Sequence, residues 1–246
     1  MTGRLDGRIA LVTGASRGIG CELAELIAAE GAHVYCVART VGGLEELDDR
    51  IKAAGGTATL VPLDLLDFEG IDRLGAAIYE RHGKLDVFVA NAGMLGVLSP
   101  IGHIETKVFE KTMATNVTSV WRQIRSFDPL LRKSDAGRAI LMSSGAAHSA
   151  KAYWSLYAAT KAAVEALGKS WANETRKTSL CVNSVNPGAT RTQMRAQAMP
   201  GEDPETLPSA REVASKILPL AFADMSETGR LYDVREERFL DYHDPD

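Results

Sequence analysis

Tyr157 and Lys161 stand four residues apart in Ser155-Leu156-Tyr157-Ala158-Ala159-Thr160-Lys161, a run of helical composition. At 3.6 residues per turn both side chains leave one face of that helix. An ammonium there lies close enough to a phenol to favour its anion, and an opposite charge at short range lowers a pKa by roughly 1–3 units. The expectation is a tyrosine drawn toward working pH as a general acid or base. Taken alone, the pair reads better as an exposed helical contact, and it is the accompanying serine, asparagine and glycine turn that favour chemistry. Ser144 follows the apolar run Arg138 to Ser143. Its hydroxyl is suited to bond a carbonyl oxygen as charge develops on it.

A second constellation is Thr13-Gly14-Ala15-Ser16-Arg17-Gly18-Ile19-Gly20, which runs straight into Cys21-Glu22-Leu23-Ala24. Glycines at these places let the backbone turn tightly and approach a pyrophosphate, whose charge the helix amino end then meets. A generic tight turn is the alternative, but a strand before and a helix after favour dinucleotide binding. The choice of dinucleotide is readable in Val37-Ala38-Arg39-Thr40, at the end of the second strand. An acidic residue there would bond the ribose hydroxyls and repel a 2′-phosphate. Arg39 and Arg17 instead offer two guanidiniums to that phosphate, so NADP(H) is expected over NAD(H). The competing reading of Arg39 is a solvated charge at a strand end.

These groups must be held by regular elements. Ile9 to Thr13, Ala32 to Ala38, Ala58 to Leu63, Leu85 to Ala90, Arg138 to Ser143 and Leu180 to Asn186 read as strands. Helical stretches lie between them near 18–30, 43–54, 67–82, 105–132 and 155–176. Alternation of this kind specifies a parallel sheet wound with crossover helices, and near-continuous apolar strands mean that both faces are covered. The fold expected is α/β: a Rossmann-like, doubly wound sheet of about seven strands in three α/β/α layers, with one domain over 1–246. Asp67 and Asp86 sit where strand and helix exchange, which suits turn or cap chemistry. The segment from about 190 to 208, broken by Pro200, Gly201, Pro204 and Pro208, reads as a covering loop without a long element. The charged tail 235–246 reads as loosely ordered at its end.

Bulk properties exclude several classes. A net charge of −4 across 246 residues gives no concentrated basic field for nucleic acid or an anionic membrane. No apolar run reaches the roughly 20 residues of a spanning helix, and the first residues lack the apolar stretch of a signal peptide, so a cytoplasmic location is expected. Cys21, Cys36 and Cys181 fall in apolar patterns with no metal-binding spacing, and read as packing residues; no metal is expected.

The spacing T-G-x-x-x-G-x-G, rather than G-x-G-x-x-G, resembles that of the short-chain dehydrogenase/reductase family, and the resemblance extends across nearly the whole chain. Ala90-Asn91-Ala92-Gly93 is similar to the family's N-A-G element, Asn116 to its mid-helix asparagine, and Ser144, Tyr157 and Lys161 to its serine and Y-x-x-x-K pair. Pro187-Gly188 followed by Thr192 resembles the segment that closes over the nicotinamide. The resemblance implies catalytic roles for Asn116, Ser144, Tyr157 and Lys161. Asn116 would hold a kinked turn and a water linking Lys161 to solvent, and Lys161 would also grip the nicotinamide ribose. It implies cofactor contacts from Gly14, Ser16, Arg17, Gly18, Ile19, Gly20, Arg39, Asp64, Leu65, Asn91, Ala92, Gly93, Pro187, Gly188 and Thr192. Asp64 would meet the adenine, with helix capping as its alternative.

The same resemblance implies a small carbonyl or alcohol substrate, and a dimer or tetramer through helices 105–132 and 155–176, whose Ala158, Ala159, Ala162, Ala163 and Ala166 permit close approach. Met94, His148 and Trp154 would flank the carbonyl, or simply pack their loops. Arg191 or Arg195 would recognise an acidic group on the substrate, or else form intramolecular ion pairs. The segment 186–208 is similar to a little-characterised bacterial branch whose members are called oxidoreductases, which fixes reaction type better than substrate. The usual V-D-G-G after the last strand is missing, so the resemblance implies neither that strand nor a subunit contact through it. A non-catalytic NADP(H)-binding sensor or scaffold is the rival from another class. An epimerase or dehydratase of the extended branch would carry G-x-x-G-x-x-G and a larger substrate domain, which this chain lacks.

Overall fold

The computed structural model describes residues 3–242. Strands β1 (Ile9–Thr13), β2 (His33–Ala38), β3 (Thr57–Pro62), β4 (Val87–Ala90), β5 (Arg138–Met142), β6 (Cys181–Asn186), β7 (Leu231–Asp233) and β8 (Arg238–Leu240) form one sheet in the order β3-β2-β1-β4-β5-β6-β7-β8. All neighbours pair in parallel except β7 and β8. The winding reverses between β1 and β4, which opens a crevice above their carboxyl ends. Eight strands form rather than seven, because residues 234–237 turn the chain back on β7, with Glu237 in the left-handed region at φ 51°. The last part of the tail, 243–246, lies outside the described residues, as do residues 1 and 2.

Alternate residues of each central strand serve opposite faces. Ala10 and Val12 of β1 join a core with α1 (Gly18–Ala29), α2 (Val41–Ala53) and α9 (Ala210–Ile217), whereas Ile9 and Leu11 join a core with α3 (Phe68–His82), α5 (Ser119–Leu131) and α7 (Ser155–Thr175). This is the three-layer arrangement of a Rossmann-like fold, and all five residues of β1 and of β5 are buried. No helix among the described residues is long and apolar enough to cross a membrane. Cys21 and Cys36 are buried and Cys181 half-buried, all as free thiols. Burial pushes the Cys36 thiol up to about 12, which leaves it inert.

The helix expected over 105–132 is divided. Regular turns over α4 (Thr106–Met113) and α5 flank a π-helical turn at Ala114–Thr118. Asp67 caps α3 by accepting from the Gly70 N–H at 2.8 Å. Asp86 is no cap: it is fully buried and accepts from the Ile9 N–H, Ser134, Arg8 and Lys84. Burial alone would raise its pKa, but these donors together hold it below the usual carboxylate value.

At the opposite end of the sheet from the crevice, His33 contacts Thr57 Oγ1 at 2.9 Å and Thr59 Oγ1 at 2.8 Å, and His82 contacts the Tyr35 hydroxyl at 2.9 Å. Burial first, then neighbouring positive charge, lowers both imidazole pKa values. The neutral forms therefore favour the fold, and their contribution is complete above the unfolded value of about 6.5 and lost as pH falls through the lowered folded values. Thermal melts are expected to decline below about pH 6.5 more steeply for the native chain than for a His33→Gln, His82→Gln double variant. Equal slopes would remove these residues from the acid sensitivity.

Candidate active site

The glycine turn between β1 and α1 is fastened from beneath by Asn91. Its Nδ2 donates to the Thr13 carbonyl at 2.9 Å and the Gly14 carbonyl at 3.3 Å, while Thr13 Oγ1 accepts from the N–H groups of Asn91 and Ala92. Gly14 and Gly18 have φ of 68° and 62°, where a side chain is strained. A Cβ on Gly20 would lie 2.3 Å from Asn91 Nδ2 and 2.5 Å from the Gly14 carbonyl oxygen. Gly20→Ala is expected to cost about 1–3 kcal/mol through overpacking, read as a fall of several degrees in Tm together with weaker NADPH binding. A variant melting with the native chain would show that the turn yields freely.

The helix that follows is open to an anion. No side chain caps α1, its first turn holds no acidic residue, and a Cβ at Gly18 would meet only Thr192 Cγ2, at 3.6 Å. Uncapped N–H groups, a helix dipole and space above a glycine fit a pyrophosphate. Ser16 and Ile19 are half-buried in the same turn. Arg17 is exposed and has no side-chain partner among the described residues. Arg39 Nη1 lies 3.9 Å from Asp64 Oδ2, a solvent-exposed pair of little strength that leaves the guanidinium available. Asp64 accepts from the Leu66 N–H at 3.0 Å and so shapes the turn before α3, whose cap is Asp67. Leu65 is buried beside it.

Across the crevice, Asn116 sits in the π turn, buried, with Oδ1 accepting from the Met94 N–H at 2.9 Å and Nδ2 donating to the Met94 carbonyl at 2.8 Å and Thr160 Oγ1 at 3.1 Å. Both backbone groups of Met94 are thereby used. A Cβ on Gly93 would stand 3.5 Å from Asn116 Oδ1 and 3.6 Å from Lys161 Nζ, so these three residues converge.

The end of β5 faces three positions of α7 spaced one helical turn apart, 157, 161 and 165. The Met142 carbonyl accepts from Lys161 Nζ at 2.7 Å, the Ser143 hydroxyl donates to Glu165, and the Ser144 hydroxyl lies near enough to the Tyr157 phenol to pull its pKa down. Tyr157 and Lys161 do share one face, with Nζ 5.7 Å from the ring centroid. The expected acidification of the phenol is not found. Burial pushes Tyr157 up to about 12, and the Ser144 hydrogen bond offsets only part of that. Burial also brings Lys161 down to about 8, against the pull of the Glu165 carboxylate. The ammonium is committed to a backbone carbonyl, and desolvation outweighs it as an influence on the phenol.

A cavity of about 730 Å³ opens from Ser144 past Trp154, Pro187 and Gly188 toward Arg195 and Asp233. Trp154 meets the Tyr157 ring edge-on at 6.2 Å. His148 turns instead to Glu165, at 2.9 Å. Thr192 caps α8 (Gln193–Ala198), a short helix inside the segment read as irregular. Arg191 pairs with Glu205 and Arg195 with Glu202, both at 2.6 Å, so the intramolecular alternative describes both arginines. Sequence reasoning missed Glu165, and Asn186, whose Oδ1 accepts from the Gly145 N–H at 2.8 Å and the Gly188 N–H at 3.2 Å. The spacing of Glu165, one turn beyond Lys161, was the available signal for the first.

Residues 8–203 match the sequence model of a family described as short chain dehydrogenase. The chain belongs to the short chain dehydrogenase family. This short chain dehydrogenase is 36% identical over 238 residues to the uncharacterized oxidoreductase YciK of Escherichia coli K12, covering 95% of the one chain and 94% of the other. It superimposes with a TM-score of 0.89 on a short chain dehydrogenase from Shigella flexneri 2a solved with NADP, at 35% identity over 96% of this chain and all of that one. A short chain dehydrogenase from Escherichia coli CFT073 solved with NADPH gives the same TM-score and identity, over 96% and 99% of the two chains.

Proposed function

We propose that this short chain dehydrogenase is an NADP(H)-dependent oxidoreductase that interconverts a ketone or aldehyde and an alcohol, with Tyr157 as general acid and base. The observation that carries the proposal is a buried phenol beside Ser144, a residue that lines the cavity, with Lys161 and Asn116 converging on Gly93 of the same crevice.

The uncapped start of α1 and the turn Gly14, Ser16, Gly18, Ile19 and Gly20 hold the pyrophosphate. Arg17 and Arg39 take the 2′-phosphate, and Asp64 and Leu65 the adenine. Asn91, Ala92, Gly93, Pro187, Gly188, Thr192 and Lys161 hold the nicotinamide end. When bound, the reduced nicotinamide supplies the hydride. Ser144 fixes the carbonyl oxygen and Tyr157 Oη delivers its proton there as negative charge accumulates. A phenol held at about 12 keeps its proton at neutral pH and releases it only to a strong base such as a nascent alkoxide. That makes the high value compatible with reduction. Lys161, at about 8, is mainly an ammonium at neutral pH and can stabilise the phenolate left behind.

Turnover is tested by NADPH consumption against ketones, aldehydes, quinones and 3-oxoacyl thioesters. Tight NADPH binding with no turnover across that panel favours the sensor or scaffold. The assembly proposed is a homodimer or homotetramer. Ala159, Ala162 and Ala166 are exposed along α7, near Phe109 at 45% and Ile101 at 77% exposure around a second, smaller cavity. Sedimentation showing only monomer would remove it.

A further inference from the structure

Glu165 is one of the few buried charges in the protein, and the reaction scheme above does not use it. It lies on α7 one helical turn beyond Lys161, so the two side chains leave the same face. Its carboxylate is gripped from two other elements. The Ser143 hydroxyl donates to Oε1, and His148 Nε2, on α6 (Ala146–Ser149), lies 2.9 Å from Oε2 and 3.2 Å from Oε1. Ser143 sits between Met142, which anchors Lys161 Nζ, and Ser144, whose hydroxyl neighbours the Tyr157 phenol. Three consecutive residues at the end of β5 therefore face the ammonium, the carboxylate and the phenol in turn.

We propose that Glu165, clamped by Ser143 and His148, is a positioning residue that supplies the countercharge keeping the buried Lys161 an ammonium. The idea rests on Lys161 serving the oxidoreductase site proposed above. A lysine removed from water loses its proton readily, and burial is what brings Lys161 down to about 8. The charge opposing that loss is the carboxylate of Glu165. Among the described residues, the other groups around the pair are Tyr157 and Lys169 on α7, Asn116 in the π turn, Ser144, and Tyr242, whose ring faces Lys169 Nζ at 5.7 Å. None of these supplies a negative charge at neutral pH. His148 is half-exposed, at 53%, so the clamp is closed by a group in contact with solvent.

The test reads the titration of Lys161 by NMR of its labelled side-chain Cε in cofactor-free protein, the resonance being identified by its absence in Lys161→Met. Glu165→Gln is expected to lower the midpoint by roughly one pH unit, the low end of the range for a neighbouring opposite charge. Glu165→Asp is expected to restore most of that shift. The high-pH limb of NADPH-dependent reduction should move down with the midpoint in Glu165→Gln, because activity needs the ammonium. An unchanged midpoint in folded Glu165→Gln, or an equal fall in Glu165→Asp, overturns the proposal. Should Glu165→Gln not fold, Ser143→Ala removes only a donor that aims the carboxylate. It is expected to lower the midpoint by a smaller amount, and no change there overturns the proposal equally. Because this titration needs neither cofactor nor substrate, its failure is distinct from a failure to reduce carbonyls.

Discussion

Tyr157→Phe is expected to bind NADPH as the native chain does and to reduce carbonyl substrates about 100-fold more slowly or worse, the scale of losing a general acid. Tyr157 is buried, so losing one oxygen removes the proton donor while the ring remains packed against Trp154. Ser144 loses a partner but keeps its place, because its oxygen also accepts from the Ala146 N–H at 3.2 Å. Steady-state kinetics beside a fluorescence titration with NADPH separate the two effects. Equal loss of binding and turnover would mean that the ring had moved; full activity would require another proton donor at the Ser144 side of the cavity.

Arg39→Asp is expected to invert the cofactor preference. The substitution replaces a guanidinium by a carboxylate at the end of β2, beside Asp64, so two like charges would then face a 2′-phosphate. Losing one charge-assisted contact is worth about 1.5–3 kcal/mol, roughly 10- to 100-fold in Kd, before the new repulsion is added. NADH affinity should hold or improve, since a carboxylate there bonds ribose hydroxyls. Titration of both cofactors against both proteins measures the switch. An Arg39→Asp chain that still prefers NADPH would leave Arg17 as the whole phosphate site.

Much of this was legible from residue order. Strands appear where apolar runs of four to six residues lie between helical patterns, and β1 and β5 begin at the residues expected. The cofactor turn was readable because left-handed Gly14 and Gly18 have few substitutes. The π turn at 114–118 was legible only through the resemblance, which implies a kinked turn at Asn116, since neither Gly nor Pro marks it. It exists because Asn116 reaches back 22 residues to both backbone groups of Met94, a contact that local pattern does not contain.

The same limit governs the electrostatics. Spacing alone places Lys161 beside Tyr157, and from there an acidified phenol follows. Burial reverses the sign, and burial is a property of the assembled layers. Glu165 carries no signal of its own in the sequence beyond its spacing from Lys161, and its burial comes from Ser143, just past β5, and His148 on α6. Arg191 and Arg195 were open between substrate and surface roles, and the short helix α8 with its flanking turn gives each a glutamate. The final strand forms without the V-D-G-G pattern because β8 pairs along its far edge, where the backbone rather than particular side chains makes the bonds.

The most direct test of the account follows one atom. NADPH carrying deuterium at the transferring position of the nicotinamide, incubated with the native chain and the carbonyl panel, is expected to place that deuterium on the carbinol carbon of a product, one for each NADPH consumed. NADPH held tightly while every carbonyl in the panel stays intact, or product formed without the label, would contradict it.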